Sequence, residues 1–401
     1  MSTQRIVVLG GGFAGLWSAA GAARKLDELG IGPDKVSVTL VNRDAFHSIR
    51  VRNYETDLTP TRVPLRDVLE PIGVGLVAGE VRGIDFLRRE VNVVGGSGME
   101  TLAFDRLVFA LGSRLVRPEM VGFAEFGFDV DTFGGAVRLR EHLGRLVAEA
   151  TSPVEGDFSK RLLVVGAGLT GIEAAAELAS AWRVTLADHG DHIGSDMGPD
   201  AQPVIAEALA ALGVETRVGV SVTSLSAAGA TLATGELIPA ATIVWCAGMR
   251  ADPLTALFPV ERDRAGRLPV DEFMRVKGMN GVFAAGDVAT AIVDPQHASV
   301  MSCQHGRPMG RFAGHNVVCD LLNLPMLPLA IDWYVTVLDL GAWGAVYTEG
   351  WDRRIVAVGA AAKETKRTIN CERIYPPRGG DRRAILDAAA PVVERPPGYR
   401  S

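Results

Sequence analysis

Residues 161–179, RLLVVGAGLTGIEAAAELA, combine an apolar run, a glycine cluster of the form G-x-G-x-x-G and an alanine-rich stretch, in that order. Residues 5–23, RIVVLGGGFAGLWSAAGAA, repeat this arrangement near the start of the chain. An unbroken apolar run predicts a strand that is buried on both faces, and the alanine-rich stretch after it predicts a helix. The chain therefore contains two strand–turn–helix units of the same kind.

The glycines of each turn have separate physical roles. The first permits a tight turn, the second lets the backbone approach a pyrophosphate, and the third lets the helix pack closely on the strand. The amides at the helix N-terminus carry partial positive charge and would bind the pyrophosphate. Close packing without a ligand is the alternative for a single turn, but two copies in the same context favour two dinucleotide sites. The residues predicted to bind at these turns are Gly10, Gly12, Phe13, Ala14, Gly15, Gly166, Gly168, Thr170 and Gly171.

The residue that closes the second strand of such a unit is expected to contact the adenosine ribose. In the second unit this residue is Asp188, whose carboxylate can accept ribose hydroxyls and would repel a 2′-phosphate. The second site is therefore predicted to bind NAD(H), with NADP(H) as the weaker alternative. In the first unit the position is Asn42, followed by Arg43, and an asparagine can also hydrogen-bond ribose. Two turns predict one dinucleotide that stays bound and another that exchanges.

Composition excludes several other classes of protein. The chain has 401 residues, 48% hydrophobic and 22% charged, as expected of a soluble protein with two or three domains. A net charge of −6 offers no basic surface for nucleic acid. The four cysteines, which form no C-x-x-C or C-x4-C pair, do not predict a disulfide framework. They are Cys246, Cys303, Cys319 and Cys371.

Location and further elements follow from the hydrophobic pattern. An apolar run of about 18 residues, which a membrane span would need, does not occur, and a strand begins too early for a signal peptide. We therefore expect a cytoplasmic protein. Periodicity predicts helices at about 134–150, 201–212 and 311–322, and alternating aromatic strands after about residue 325.

Three further stretches carry a family resemblance. GVFAAGDVAT, residues 281–290, resembles the second flavin motif of the pyridine nucleotide–disulfide oxidoreductase superfamily. FALGSRL, residues 109–115, is similar to its A-T-G linker with leucine in place of threonine, and VWCAGMR, residues 244–250, to its T-A-G counterpart. The resemblance implies that FAD is the bound cofactor and that Asp287 hydrogen-bonds its ribityl chain at a helix start. It adds these residues to the cofactor sites: Ala110, Gly112, Gly286, Ala247 and Gly248.

The family resemblance also implies a fold and a division into domains. The fold is α/β, with two Rossmann-like dinucleotide-binding domains and a small C-terminal α+β interface region. The FAD domain is discontinuous, in residues 1–117 and 256–325. The NAD(H) domain is inserted between these parts, in residues 118–255, and the interface region covers residues 326–401.

Within the superfamily, the missing cysteine pair argues against the disulfide reductases, which pass electrons to thiols. GAGLTGIE is instead similar to the G-A-G-x-T-G-x-E pattern of the type II NADH dehydrogenase branch. This resemblance implies that Glu173 lies near the nicotinamide and the flavin. The alternative is a first-turn carboxylate that is stabilised by the helix dipole.

Two other stretches bear on the acceptor side of the flavin. CQHGRPMGR, residues 303–311, resembles the quinone-side A-Q-x-A-x-Q-G region of the branch. Gln304 matches the first glutamine, whereas Pro308 replaces the second, which puts quinone use in doubt. His47 lies in a loop that should border the isoalloxazine, as a pocket residue or as a surface histidine. The candidate catalytic residues are thus Glu173, Gln304 and His47.

The leading hypothesis for the function is FAD-dependent oxidation of NADH, with two electrons delivered to a quinone or similar small acceptor. One alternative is a reductase of a redox protein such as a ferredoxin or rubredoxin. The other is a flavin-bearing redox sensor without catalytic turnover. No metal site is expected, because DHGDHIGSD, residues 188–196, lacks helical ligand spacing.

The C-terminal stretches leave the partner surfaces open. The branch commonly ends in an amphipathic helix that docks on a membrane, but prolines interrupt DAAAPVVERPPGYRS, residues 387–401. Trp333 and Tyr334 are predicted to be core or homodimer contacts, with a peripheral contact at the inner face of the cell membrane as the alternative. A mild basic run is predicted to be a solvated face or a contact to the neighbouring domain. It consists of Arg367, Arg373, Arg378, Arg382 and Arg383.

Overall fold

The computed structural model describes residues 3–96, 98–149 and 157–399. Its largest sheet has seven strands, five of them parallel and the last two antiparallel. The middle one of the five parallel strands precedes the first glycine turn, and its last four residues are apolar and buried, as expected of a strand covered on both faces. In spatial order the strands are β20 (Val282–Ala284), β8 (Arg106–Phe109), β1 (Gln4–Leu9), β2 (Val36–Asn42), β5 (Gly75–Asp85), β6 (Glu90–Gly95) and β7 (Gly98–Ala103).

A second sheet has five parallel strands around the second glycine turn. Its central strand β11 (Arg161–Val165) has β17 (Thr242–Trp245) on one side and β12 (Arg183–Ala187) on the other, as β1 has β8 and β2. In such sheets dinucleotides bind at the carboxyl ends of the strands, where the strand order reverses. The order across this sheet is β10 (Gly127–Phe128), β17 (Thr242–Trp245), β11 (Arg161–Val165), β12 (Arg183–Ala187) and β13 (Glu215–Arg217).

The predicted α/β fold with two Rossmann-like units is confirmed, and so are the aromatic strands near the C-terminus. Those strands form a three-stranded antiparallel sheet of β22 (Val335–Asp339), β23 (Ala345–Glu349) and β24 (Arg354–Val358). The remaining strands are β3 (Phe46–Ser48), β4 (Arg62–Pro64), β9 (Ser113–Leu115), β14 (Val222–Ser226), β15 (Gly229–Leu232), β16 (Leu237–Pro239), β18 (Met249–Ala251), β19 (Leu268–Pro269) and β21 (Ala289–Thr290).

Helix α1 (Phe13–Glu28) follows the first glycine turn and packs closely on α7 (Cys303–Leu321). Glycine makes this approach possible, since a Cβ at Gly310 would lie 2.3 Å from the carbonyl oxygen of Ala14. The other helices are α2 (Leu65–Leu69), α3 (Phe123–Phe126), α4 (Phe133–Glu149), α5 (Leu169–Leu178), α6 (Ala201–Ala211), α8 (Gly359–Thr368) and α9 (Arg382–Ala388). Short 3₁₀ turns cover Arg50–Arg52, Thr59–Thr61, Glu70–Ile72, Ser195–Met197, Pro253–Leu257, Gly286–Val288 and Gly341–Trp343, and a π-helical turn covers Ile369–Arg373.

One expectation about the flavin motif is wrong. Asp287 does not lie at the start of an α-helix but in the three-residue 3₁₀ turn Gly286–Val288. Gly286 has a φ of +78°, and the chain then extends as β21, which pairs with β19. Helix α7 begins only at Cys303.

The C-terminal residues resolve one of the alternatives. Trp333 and Tyr334 are each 5% exposed, so both are core side chains and neither is placed for a membrane interface. After α9, residues 389–399 form no helix, as the prolines predict, whereas Arg400 and Ser401 lie outside the described residues. Among the helices of the described ranges, none is both long and apolar enough to cross a bilayer.

Candidate functional site

In the first glycine turn, two of the glycines are needed for close packing, whereas Gly12 leaves room for a ligand. A Cβ at Gly10 would lie 2.3 Å from the carbonyl oxygen of Ala110, and one at Gly15 would lie 1.7 Å from the carbonyl oxygen of Gly10. A Cβ at Gly12, in contrast, would meet no described atom within 4 Å. The chain itself needs the first and third glycines, while the second faces the open space that a pyrophosphate requires.

The second turn repeats this geometry. A Cβ at Gly166 would lie 2.7 Å from the backbone nitrogen of Ala247, and one at Gly171 would lie 1.8 Å from the carbonyl oxygen of Gly166. Beside Gly168, the nearest described atom is a carboxylate oxygen of Asp196, at 3.6 Å. Both turns thus fit a dinucleotide in the same way.

The residues that close β2 and β12 also hold their own glycine turns. Asn42 accepts a hydrogen bond from the amide of Gly11 at 2.8 Å, and its Nδ2 donates to two carbonyls of the loop that follows. Asp188 accepts from the amide of Ala167 at 2.6 Å and from that of Gly190 at 2.7 Å. Each oxygen retains a second lone pair, so a ribose hydroxyl can still donate to it.

The flavin motif lies against the first glycine turn. A Cβ at Gly286 would lie 2.7 Å from the Cβ of Ala14. Ser113 Oγ donates to Asp287 Oδ2 at 2.6 Å, and Arg50 Nη1 donates to Ser113 Oγ at 2.8 Å. Arg50 also lies 3.8 Å from the Asp287 carboxylate. The Arg50 cation and the Ser113 hydroxyl therefore fix the position of this carboxylate. Sequence reasoning missed Ser113, although it lies in FALGSRL, and Arg50, which follows His47 by three residues.

The two linkers that resemble the family motifs pair with each other. Ser113–Leu115 in β9 and Met249–Ala251 in β18 form an antiparallel ladder between the two dinucleotide units. The amide of Val116 also donates to the carbonyl of Gly248 at 2.9 Å. Gly112, which precedes β9, has a φ of +75° and open space where a Cβ would stand.

Of the other candidates, Arg43 is exposed, while Phe13 and Thr170 lie in the first turns of α1 and α5.

His47 is a buried residue, so its interpretation as a surface histidine is wrong. It has no exposed area, and its Nδ1–H donates to the carbonyl of Gly11 at 2.8 Å. The edge of its ring meets Phe13, with the ring centroids 5.0 Å apart. Burial, with a smaller contribution from nearby Arg307, lowers the pKa of His47 to about 4. The imidazole is therefore neutral at pH 7, and its Nε2 finds no donor among the described residues.

Glu173 is part of a buried ion pair. It lies in the second turn of α5 and is 8% exposed, which excludes the alternative of a first-turn carboxylate. Lys366 Nζ donates to Glu173 Oε1 at 2.6 Å, and the amide of Asp339 donates to the same oxygen at 3.1 Å. Burial raises the pKa of Glu173, which Lys366 only partly opposes. Burial alone would lower the pKa of Lys366, but the Glu173 carboxylate raises it overall.

The network extends beyond this pair through Asp339. Lys363 forms an ion pair with the Asp339 carboxylate, and the hydroxyl of Tyr54 donates to it at 3.3 Å. Burial keeps the pKa of Tyr54 well above its ordinary value, and Glu173 adds to this. Sequence reasoning missed Lys366, Asp339 and Tyr54, because no motif marks them and only the packing of the C-terminal sheet on α5 brings them together.

Gln304 and the thiols are placed differently from the other candidates. The Gln304 amide donates to the Val335 carbonyl at 2.9 Å and accepts from the Val335 amide at 3.3 Å, so it joins α7 to β22.

Desolvation raises the pKa of the Cys303 thiol, and it raises the pKa of the Cys246 thiol to about 12. All four cysteines lie in the described ranges and are free thiols.

Comparison with known proteins agrees with this geometry. The profile of a family described as pyridine nucleotide-disulphide oxidoreductase matches residues 4–310. The chain belongs to this family. It is 55% identical, over 98% of this chain and 100% of the relative, to a NADH dehydrogenase-like protein of Mycobacterium tuberculosis (strain CDC 1551 / Oshkosh). It is 30% identical to the type II NADH:quinone oxidoreductase NdhA of M. tuberculosis (strain H37Rv), over 71% of this chain and 66% of that protein.

The fold is also similar to a solved structure of NDH2 from Plasmodium falciparum in complex with NADH. The TM-score is 0.77 at 14% identity, covering 96% of this chain and 97% of the other. At this identity the likeness concerns the fold alone. Family membership and the close relatives make this chain an oxidoreductase of the FAD- and NAD-binding kind, similar to the type II NADH dehydrogenases.

Proposed function

We propose that this protein holds FAD at the first glycine turn, binds NADH at the second and delivers two electrons to a quinone. The overall reaction would convert NADH, one proton and the quinone into NAD+ and the quinol. The observation that carries the proposal is the room for a Cβ at Gly12, which meets nothing within 4 Å, and at Gly168, whose nearest neighbour is 3.6 Å away, in two otherwise closely packed turns. One such turn would support a single dinucleotide, whereas two support a resident cofactor and an exchanging substrate.

The residues at the first turn fit FAD. Gly12 leaves room for the pyrophosphate, and Asp287 presents a carboxylate, fixed by Ser113, beside the N-terminus of α1. FAD, when bound, supplies a ring that accepts a hydride and passes electrons on, which no side chain can do. The protein's contribution is to bind and orient the reacting molecules and to exclude water.

The Glu173–Lys366 pair would orient the reacting molecules on the NADH side of the site. Glu173 follows the second glycine turn on α5, and Lys366 reaches it from α8, so the pair joins the NAD unit to the C-terminal region. Because the Glu173 carboxylate raises the pKa of Lys366, this side chain can hold a proton at Nζ. On the other side, His47 keeps Nδ1–H on the Gly11 carbonyl and presents a neutral ring.

The names of the relatives support a quinone as the acceptor, while Pro308 stands where the resemblance implies a second glutamine. The alternatives are a reductase of a redox protein and a sensor that does not turn over. Sequence similarity to NADH dehydrogenase-like proteins favours an enzyme over a sensor.

Anaerobic stopped-flow mixing of the purified protein with NADH tests the proposal. Rapid loss of the visible flavin absorption, followed by rapid reoxidation with menadione, is the expected result. Fast reduction with reoxidation only by a ferredoxin or rubredoxin would favour the redox-protein reductase. Very slow reduction accompanied by tight NADH binding would favour the sensor. Asp287→Ala should yield largely colourless protein, and full flavin occupancy would contradict the assignment of this site.

A further inference from the structure

A cavity of about 530 Å³ lies where α1, α7 and the C-terminal segment meet. We call it the arginine cavity, because its wall includes four guanidinium groups. Two belong to α7 and two to the basic run near the C-terminus, which the function above leaves unexplained. The residues that matter for the argument are Trp17, Arg307, Arg311, Arg373, Tyr375 and Arg378.

The charges of this wall are unbalanced. Among its described residues, the four arginines face two carboxylates, those of Glu372 and Glu394. Arg311 is only 2% exposed. Desolvation and the adjacent Arg311 lower the pKa of Arg307 to about 10, which shows how closely the two cations are held. Such a wall attracts anions.

Buried donors in the wall lack acceptors. Trp17 is 1% exposed, and its indole Nε1–H has no partner among the residues described. The same holds for Nε of Arg307 and Nε of Arg311, whose guanidinium groups lie 5.6 and 4.8 Å from the Trp17 ring centre. An anionic group with several oxygens would satisfy donors of this kind.

Glu394 already places a carboxylate against the arginines of this wall. Its carboxylate lies 3.2 Å from Arg311 and 3.5 Å from Arg307. The Glu394 side chain is 39% exposed and belongs to the segment after α9, which has no regular secondary structure. A ligand with its own acidic group would therefore compete with Glu394 for these two arginines.

The arginine cavity adjoins the candidate FAD site. Arg307 follows Cys303 by one helical turn on the same face of α7, and its charge acts on the pKa of both Cys303 and His47. Tyr375 packs in one cluster with Phe13 and Cys303. Its hydroxyl is fixed, because it accepts from Arg52 at 2.7 Å and donates to the carbonyl of Pro60 at 2.6 Å. Tyr375 therefore belongs both to the cavity wall and to the cluster that contains Phe13, whose ring contacts His47.

We propose that the arginine cavity selects an electron acceptor that carries an anionic substituent. The four arginines and the Trp17 indole bind a sulfonate, carboxylate or phosphate group, while the quinone ring extends toward Phe13 and His47. This inference rests on the proposed function and names its substrate class. A free inorganic anion is the other source of the same chemistry, and the experiment separates the two.

The test compares two naphthoquinones of similar ring size in steady-state assays with NADH. One is 1,4-naphthoquinone-2-sulfonate, and the other is menadione, which is neutral. Arg373→Gln combined with Arg378→Gln should raise the KM for the sulfonate about tenfold and change the KM for menadione less than about twofold. Glu394→Gln should act in the opposite direction, lowering the KM for the sulfonate alone. Both effects should shrink at high salt.

Arg367→Gln combined with Arg383→Gln is the matched control. These two arginines belong to the same basic run, and their replacement removes as much positive charge as the cavity variant does. Their side chains are 71% and 80% exposed and lie outside the arginine cavity. Equal KM changes for the sulfonate in the cavity and control variants would overturn the proposal. So would equal changes for both quinones in the cavity variant.

A binding measurement keeps this inference separate from the proposed function. Naphthalene-2-sulfonate, which cannot be reduced, should bind the wild-type protein in calorimetry and bind the Arg373→Gln/Arg378→Gln variant about tenfold more weakly. If NADH fails to reduce the flavin, the proposed function fails, while this binding still tests the anion site. If inorganic sulfate binds as tightly as naphthalene-2-sulfonate, the wall is a site for free anions and the acceptor proposal is overturned.

Discussion

Lys366 Nζ lies 2.6 Å from Glu173 Oε1, which joins α8 of the C-terminal region to α5 of the second dinucleotide unit. Both side chains are largely buried, with 11% and 9% of their area exposed. A buried charge that loses its partner is strongly destabilising, whereas replacing both charges is far less costly.

This relationship predicts the behaviour of a single and a double variant. Lys366→Met should lower the free energy of unfolding by about 3–5 kcal/mol, because it leaves the Glu173 carboxylate buried without its cation. Adding Glu173→Gln should recover most of that loss. Urea denaturation of the wild type, both single variants and the double variant measures the coupling. Additive effects would show that the pair does not act as a unit.

A second prediction concerns the middle glycine of each turn. Gly12→Ala should fold, because a Cβ there meets no described atom within 4 Å, but the methyl group would occupy the approach to the pyrophosphate. We expect nearly colourless protein. Gly168→Ala should remain yellow and raise the KM for NADH about tenfold or more. Flavin content by absorbance and steady-state kinetics measure the two effects.

The third glycine of each turn serves as a control. A Cβ at Gly15 would lie 1.7 Å from a backbone oxygen, and one at Gly171 would lie 1.8 Å from another, so alanine at either position should prevent normal folding. If Gly12→Ala kept full flavin while Gly168→Ala lost it, the two sites would be assigned the wrong way round. If neither variant changed a cofactor, neither turn would bind one.

The sequence predicts the two dinucleotide units well because their constraints are local. Buried strands form from local apolar runs, and glycines such as Gly15 and Gly171 satisfy steric demands within a few residues, against the carbonyls of Gly10 and Gly166. The expected helix start at Asp287 failed for a reason that the local pattern does not show. After Gly286 the chain extends as β21 and pairs with β19, a partner set by tertiary structure.

The partners of the candidate catalytic residues could not be predicted for a similar reason. Lys366 meets Glu173 only because α8 packs on β22 and β23, and no spacing between these two residues signals the contact. The sequence does not decide whether His47 lies in a pocket or at the surface, since a single histidine in an irregular loop has no periodicity. Its burial depends on Phe13 and on the cluster around Tyr375.

A third prediction concerns the choice between NADH and NADPH. Asp188→Asn removes the charge that would repel a 2′-phosphate while keeping an oxygen for the amide of Ala167. We expect the KM for NADPH to fall and the KM for NADH to rise. The preference for NADH over NADPH should therefore decrease by about tenfold or more. Asp191→Asn, at an exposed position three residues further on, is the matched control. A preference unchanged in Asp188→Asn would show that the ribose lies elsewhere.

A fourth prediction concerns the pH dependence of stability. Burial lowers the pKa of His47 from 6.5 to about 4, so between these values the unfolded chain binds a proton that the folded chain does not. The free energy of unfolding therefore decreases as the pH falls from 6.5 to 4, while above 6.5 the histidine contributes no pH dependence. By pH 4 the loss that is due to His47 should be about 3 kcal/mol.

His47→Asn should remove this part of the pH dependence, because asparagine can still donate to the Gly11 carbonyl but does not titrate. Urea denaturation at pH 7 and pH 5 compares the two proteins, and the wild type should lose more stability between these values than the variant. His189→Asn is the control for replacing an exposed histidine, since its side chain is 82% exposed. Equal pH dependence in the wild type and His47→Asn would mean that folding does not lower the pKa of His47, which would contradict its assignment as a buried ring that stays neutral down to about pH 4.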